Sequence, residues 1–153
     1  MNSFKGIASH YVAHLIPILL IAGPLSYMQG DLMILAAASL FGVLIDTDHL
    51  VDYWLSPVRT GFNWKEALGC RYFEKATRVY LPLHSYDLHI AIAAVLMLNS
   101  HASLAYAWST GFIVHIVTDE FLGHSQGTNP FRNFLIYRIL NRFDSRLYCG
   151  ETA

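Results

Sequence analysis

The chain has 153 residues, the length of a single domain. It is 54% hydrophobic and only 14% charged, with a mean hydropathy of +0.37, well below the roughly one-quarter charged content of soluble domains. A net charge of −1 provides no basic excess for tracking phosphates and argues against a nucleic-acid partner; Cys70 and Cys149 form neither a zinc motif nor a CxxC pair and read as reduced thiols.

Charged residues mark out the elements. No Asp, Glu, Lys or Arg occurs between Gly6 and Gly30. The apolar run 15–28 ends in no small-residue cleavage site and is read as retained. It predicts a first helix over 10–28, whose Pro17 and Pro24 a membrane setting accommodates. Gln29-Gly30-Asp31 is a tight turn, and 32–49 is a second helix ending in Asp46-Thr47-Asp48-His49. A polar insertion, 50–83, follows. In it Trp64, Leu68, Tyr72 and Ala76 recur at helical spacing, with Arg71, Lys75 and Arg78 on another face. A third helix over 85–98 and a fourth over 103–122 are separated by Asn99-Ser100-His101. In the tail, 130–148, Arg138, Arg142 and Arg146 recur at i, i+4 and i+8 among Phe131, Phe134, Leu135, Ile139, Leu140, Phe143 and Leu147. This pattern suits a basic amphipathic helix in the headgroup plane or packed on the domain.

Short turns make antiparallel neighbours. The expected architecture is therefore all-α: one integral-membrane domain over 1–153, with four short antiparallel membrane helices and cytoplasmic amphipathic helices. In that topology all ten Lys and Arg residues fall on one side, and neither short turn on the other side carries one. This is the pattern of the positive-inside rule, and it places both termini in the cytoplasm. The competing reading is a soluble α-helical enzyme, because residues 32–45 fall short of the about 20 apolar residues that a spanning helix needs. One-sided basic charge decides for the membrane.

Eight histidines are present. His10 and His14 share a face at i, i+4; Asp46, Asp48 and His49 end the second helix, with Asp52 one turn beyond. His84, Asp87 and His89 lie around the start of the third helix. His115-x-x-x-Asp119, Glu120 and His124 close the fourth. All these positions occupy one end of the bundle, leaving only His101 in the opposite turn. Ionisable groups at membrane depth are costly and are normally paired or functional. Imidazole and carboxylate donors suit first-row metals, with zinc expected first and manganese or iron compatible. The donor count exceeds the needs of one tetrahedral ion and points to two or more. Each ion would lower the pKa of bound water toward about 7.

On these residues the sequence resembles the bacterial membrane-bound, metal-dependent hydrolase family. Its members carry P-D-x-D-H after an apolar helix, H-S opening a later helix, and H-x-x-x-D in another. The matching stretches are Ile45-Asp46-Thr47-Asp48-His49, His84-Ser85 and His115-Ile116-Val117-Thr118-Asp119. The chain departs in Ile45, where proline is usual, and in lacking Arg-Gly before His84-Ser85. The spacing His115-x3-Asp119-x4-His124 is also similar to all-α zinc-dependent phospholipases C, which implies phosphoester hydrolysis at a multi-zinc site.

The resulting expectation is a metal-dependent hydrolase of the bacterial inner membrane. It would cleave a phosphoester or phosphodiester of a lipid or membrane-proximal substrate. His14, Asp46, Asp48, His49, His84, His115, Asp119 and His124 are the candidate ligands. Asp52 or Glu120 would act as general base or orient a ligand, and Arg71, Lys75 and Arg78 would contact phosphate. The alternatives are a non-catalytic membrane metal or haem carrier and a protein whose metal only holds the bundle together.

Overall fold

The computed structural model describes residues 3–56, 61, 63, 66–67, 72, 75–122 and 129–146, with side chains from residue 11 onward except that of residue 122. It is all-helical, with no strand among the described residues. The elements are α1 (Ser3–Gln29), α2 (Leu32–Leu44), α3 (Thr47–Leu55), a 3-10 turn (Pro82–His84), α4 (Tyr86–Leu98), α5 (Ala102–Leu122) and α6 (Leu135–Leu140).

The two short connections form where expected. Gly30 adopts a positive φ of 63° between α1 and α2, and the Asp31 carboxylate caps α2 by accepting from Met33 N at 2.9 Å. This cap is why one charged residue interrupts two apolar runs. Ser100 turns the chain between α4 and α5 at φ 62°, while the Asn99 side-chain amide donates to Val95 O at 2.7 Å.

Helix α2 packs most extensively on α5, α1 lies against both, and α4 packs on α5. Small residues make the interior: Ala22, Ala37, Ala38 and Ala107 are buried with Ile18 and Val114. Large apolar residues face outward, among them Leu20, Met28, Leu32, Leu40, Ile90, Leu98 and Ile113. Two helical stretches are long and apolar enough to cross a membrane, Tyr11–Gln29 and Leu32–Leu55; Tyr86–Leu98 is a shorter apolar helix. At 13 residues, α4 extends about 20 Å, short of the roughly 30 Å hydrocarbon layer.

The α2–α5 contact brings backbone against backbone. A Cβ added at Gly111 would lie 2.7 Å from Ala38 O and 3.0 Å from Gly42 N. Gly111→Ala is therefore expected to destabilise the bundle by about 1–3 kcal/mol, the usual cost of overpacking. Chemical denaturation of the solubilised protein measures it, and an unchanged midpoint would show that the two helices separate freely.

The structure corrects two expected helices. The second is interrupted at Ile45–Asp46, so α2 and α3 are separate elements. The expected tail helix is broken after Leu140, because Arg142 and Phe143 both adopt left-handed backbone, at φ 55° and 60°, and turn the chain back; residues 147 and 148 of that expected helix lie outside the described residues. Asp144 then pairs with Arg78 in an isolated antiparallel bridge. Arg138, read as part of the basic face of a tail helix lying in the headgroup plane or packed on the domain, is 2% exposed and points inward. In the insertion, Tyr72 and Ala76 are buried with Tyr53 and Ala67, while Trp64, Leu68 and Arg71 lie outside the described residues.

Candidate metal centre

Four chain segments deliver side chains to one buried cluster. On α5, His115 and Asp119 stand one helical turn apart, with Nε2 to Oδ2 at 3.3 Å. The other ring nitrogen of His115 is 2.7 Å from the Gly42 carbonyl, a contact that the close approach of α2 and α5 permits. A backbone acceptor at Nδ1 fixes the ring so that Nε2 faces the cluster. His14 of α1 stacks on His115 with centroids 4.1 Å apart, and its Nε2 lies 3.2 Å from Asp119 Oδ1.

The turn between α2 and α3 adds Asp46, and the first turn of α3 adds His49. Asp46 makes no side-chain cap to α3. Its Oδ1 instead lies 3.3 Å from His115 Nε2, 3.7 Å from His49 Nε2 and 3.9 Å from His84 Nε2. His84, from the 3-10 turn, presents Nε2 3.6 Å from Asp119 Oδ2. Its Nδ1 is 3.1 Å from Asp48, whose Oδ2 also accepts from Leu83 N at 2.8 Å.

His14, His115 and Asp119 form one group with ligand-like spacing, and Asp46, His49 and His84 a second. Asp46 and Asp119 each reach across to a histidine of the other group. Donors on a tetrahedral ion with bonds of 2.0–2.1 Å stand about 3.4 Å apart, close to the 3.2–3.9 Å separations in this cluster. The Nε2 atoms of His84 and His115 are buried, and each faces one oxygen of Asp46 and one of Asp119 at 3.3–3.9 Å, donors that a shared cation would satisfy together. Three buried carboxylates, Asp46, Asp48 and Asp119, also concentrate negative charge at 3–9% exposure. Burial opposes charge on His84, yet Asp48, with Asp119 and Asp46 behind it, pushes its pKa up to about 10. These residues fit one or two divalent cations, which would balance that charge.

Six of the sequence-predicted ligands thus meet: His14, Asp46, His49, His84, His115 and Asp119. Asp48 falls outside both groups and orients His84. The two candidate bases are engaged elsewhere. Asp52 accepts from Tyr72 Oη at 2.9 Å and Tyr80 N at 2.8 Å, tying the insertion to α3. Glu120 pairs with Arg132. His89 is no part of the cluster: it lies 2.7 Å from Leu83 O through Nε2 and stacks on Phe112 and Trp108. Asp87 accepts from Leu135 N and Ile136 N, both at 2.8 Å, at the start of α6. Four of the six histidines whose side chains are described therefore converge; His124 and the side chain of His10 lie outside the described residues.

The contact of the Gly42 carbonyl with His115 and the burial of Arg138 were not anticipated from sequence. A glycine facing small residues in an apolar helix is the signal for the first; nothing in the tail pattern distinguishes Arg138 from its neighbours. No family model, no curated protein and no solved structure matches the chain.

Proposed function

We propose that this chain is an integral-membrane, metal-dependent hydrolase of the family it resembles, acting on a phosphoester or phosphodiester of a lipid or membrane-proximal substrate. The observation that carries the reading is the meeting of six His and Asp donors, from α1, the α2–α3 turn, the 3-10 turn and α5, at one buried point. The membrane part is supported by two apolar helical stretches of spanning length, the second made of α2 and α3 in succession, and by the inverted pattern of small residues inside and large apolar residues outside. Cytoplasmic placement of the cluster rests on the one-sided basic residues, and four crossings require α4 and α5 to cross beside α1 and α2.

His14, His115 and Asp119 would hold one cation and Asp46, His49 and His84 another, with zinc the first expectation. When bound, the pair would supply Lewis acidity and make a water acidic enough to act as nucleophile near neutral pH. The chain's own residues position the ligands. Asp48 and the Gly42 carbonyl set the ring orientations of His84 and His115. Ile45, Phe112 and Ile116, close to these ligands in sequence, form a buried apolar cluster. Lys75 and Arg78, exposed just ahead of the His84 turn, are the described cations offered to a substrate phosphate.

The purified protein is expected to contain two equivalents of divalent metal. Chelation should abolish hydrolysis of a chromogenic phosphodiester, and adding zinc or manganese should restore it. Absence of stoichiometric metal, or activity indifferent to chelation, would defeat the proposal.

A second reading, metal that only ties the helices together, is favoured by the full burial of His14 and His115, both 0% exposed. It predicts metal content and chelator-sensitive stability without turnover. Haem has less support: His14 and His115 stack directly, and His84 sits edge-on to His115 at 5.2 Å, leaving no gap for a macrocycle between these rings.

A further inference from the structure

The turn that carries His84 is conformationally expensive. Leu81, just before Pro82, adopts left-handed backbone at φ 38° and ψ 59°, a state that persists in a non-glycine residue only when its surroundings impose it. Leu81 is fully buried, and within the turn its carbonyl accepts from His84 N at 3.1 Å.

The imposition comes from the C-terminal segment. Arg138 of α6 sends its guanidinium into this turn. Nη1 donates to Tyr80 O at 2.5 Å and Leu81 O at 2.9 Å; Nη2 donates to His84 O at 3.4 Å and to Ser85 Oγ. One planar fork therefore binds acceptors on both sides of His84. A buried guanidinium is retained only where such acceptors offset its desolvation.

The helix that carries Arg138 is itself secured to the chain around the turn. The Asp87 carboxylate accepts from Leu135 N and Ile136 N at the start of α6, and Tyr86 N donates to Asn133 O at 2.8 Å. Beyond α6, Val79 N donates to Phe143 O at 2.9 Å and Ser145 N to Thr77 O at 3.2 Å. Residues 133–145 thus grip residues 77–87 from both flanks, with Arg138 between them.

Resting on the metal-centre reading above, we propose that Arg138 is a positioning residue for the Asp46, His49 and His84 group. It acts on the metal through the backbone of residues 80–85, which sets where the His84 ring stands. Asp48 orients that ring from the cluster side and Arg138 fixes its backbone from the other. The four acceptors of this fork lie on residues 80–85, which carry His84 of that group and no member of the His14, His115 and Asp119 group.

The test compares full-length wild type, Arg138→Lys and Ser85→Ala. Zinc stoichiometry and affinity are measured by chelator competition, cobalt absorption by spectroscopy, and amide hydrogen exchange over 79–86 in the metal-free protein. Lysine keeps the charge but not the planar fork. In Arg138→Lys one of two zinc sites should weaken by about tenfold or more, the scale of lost outer-shell support, while the other keeps its affinity. The cobalt spectrum should change in intensity for one ion only, and exchange over 79–86 should accelerate. Ser85→Ala should show a smaller loss at the same site, and it decides the matter if Arg138→Lys does not fold. Two sites of unchanged affinity, or both weakened equally, overturn the proposal. A wild type that binds no zinc overturns the metal-centre reading itself.

Discussion

Asp46→Asn is expected to strip both cations from the purified protein. One oxygen of Asp46 lies 3.3 Å from His115 Nε2 in the first group and 3.7 Å from His49 Nε2 in the second, so its charge serves both. Asparagine keeps the volume and removes the anion. The remaining donors would be His14, His115 and Asp119 on one side, and two imidazoles, His49 and His84, on the other. Affinity for zinc should fall by more than about 100-fold at the second group, beyond the range seen when only an orienting partner is lost. The first should weaken with it. Metal analysis after gel filtration measures this, with hydrolysis falling in parallel. Glu120→Gln is the matched control: that carboxylate pairs with Arg132 and should leave both cations bound. Retention of two tight equivalents in Asp46→Asn would show that the cluster is an ion-pair network and not a metal centre.

His89→Ala should behave in the opposite way, costing stability and leaving metal in place. Its ring lies 3.6 Å, centroid to centroid, from Phe112 and 4.8 Å from Trp108, nearly parallel to both, and it is 3% exposed. Truncation removes this stacked ring and its contact with Leu83 O. A loss of about 2–4 kcal/mol follows from the cavity and the orphaned carbonyl together. Denaturant midpoints compared with zinc stoichiometry separate the two effects. A variant with normal stability and missing metal would return His89 to the ligand set.

The contrast between these histidines shows where residue patterns alone stop. His115 and Asp119 share a face because i, i+4 spacing on any α-helix demands it, and the pair meets at 3.3 Å. Asp46 and Asp48 are two residues apart, and such neighbours in a helical backbone point in different directions. Only one of them enters the cluster; the other supports His84 from the side. That division is implicit in the spacing, whereas the identity of the entering residue depends on the break between α2 and α3. His84 and His89 bracket a helix start and look alike in sequence, yet one faces carboxylates and the other faces Phe112 and Trp108.

Two further elements depended on contacts distant in the chain. The tail has helical periodicity through residue 146, but the left-handed backbone at Arg142 and Phe143 stops α6 early. Phe143 then accepts from Val79 N, and Arg138 is drawn into the turn at Leu81. Periodicity records which side chains are apolar; it does not record that a buried carbonyl 57 residues earlier in the chain lies within reach of this guanidinium. Asp52 is a similar case, since its partners Tyr72 and Tyr80 come from the far end of the insertion.

From residue order alone follow the helical class, the two tight turns at Gly30 and Ser100, and the gathering of His and Asp at one end of the helices. All are local matters of hydropathy, turn chemistry and helical period. Tertiary structure decided which of those polar residues share a cluster and which support it. It did so because α2 and α5 approach closely enough at Gly42 and Gly111 to bring His115 to a backbone carbonyl. It did so also because a buried arginine from the tail holds the His84 turn in a conformation that its own residues disfavour.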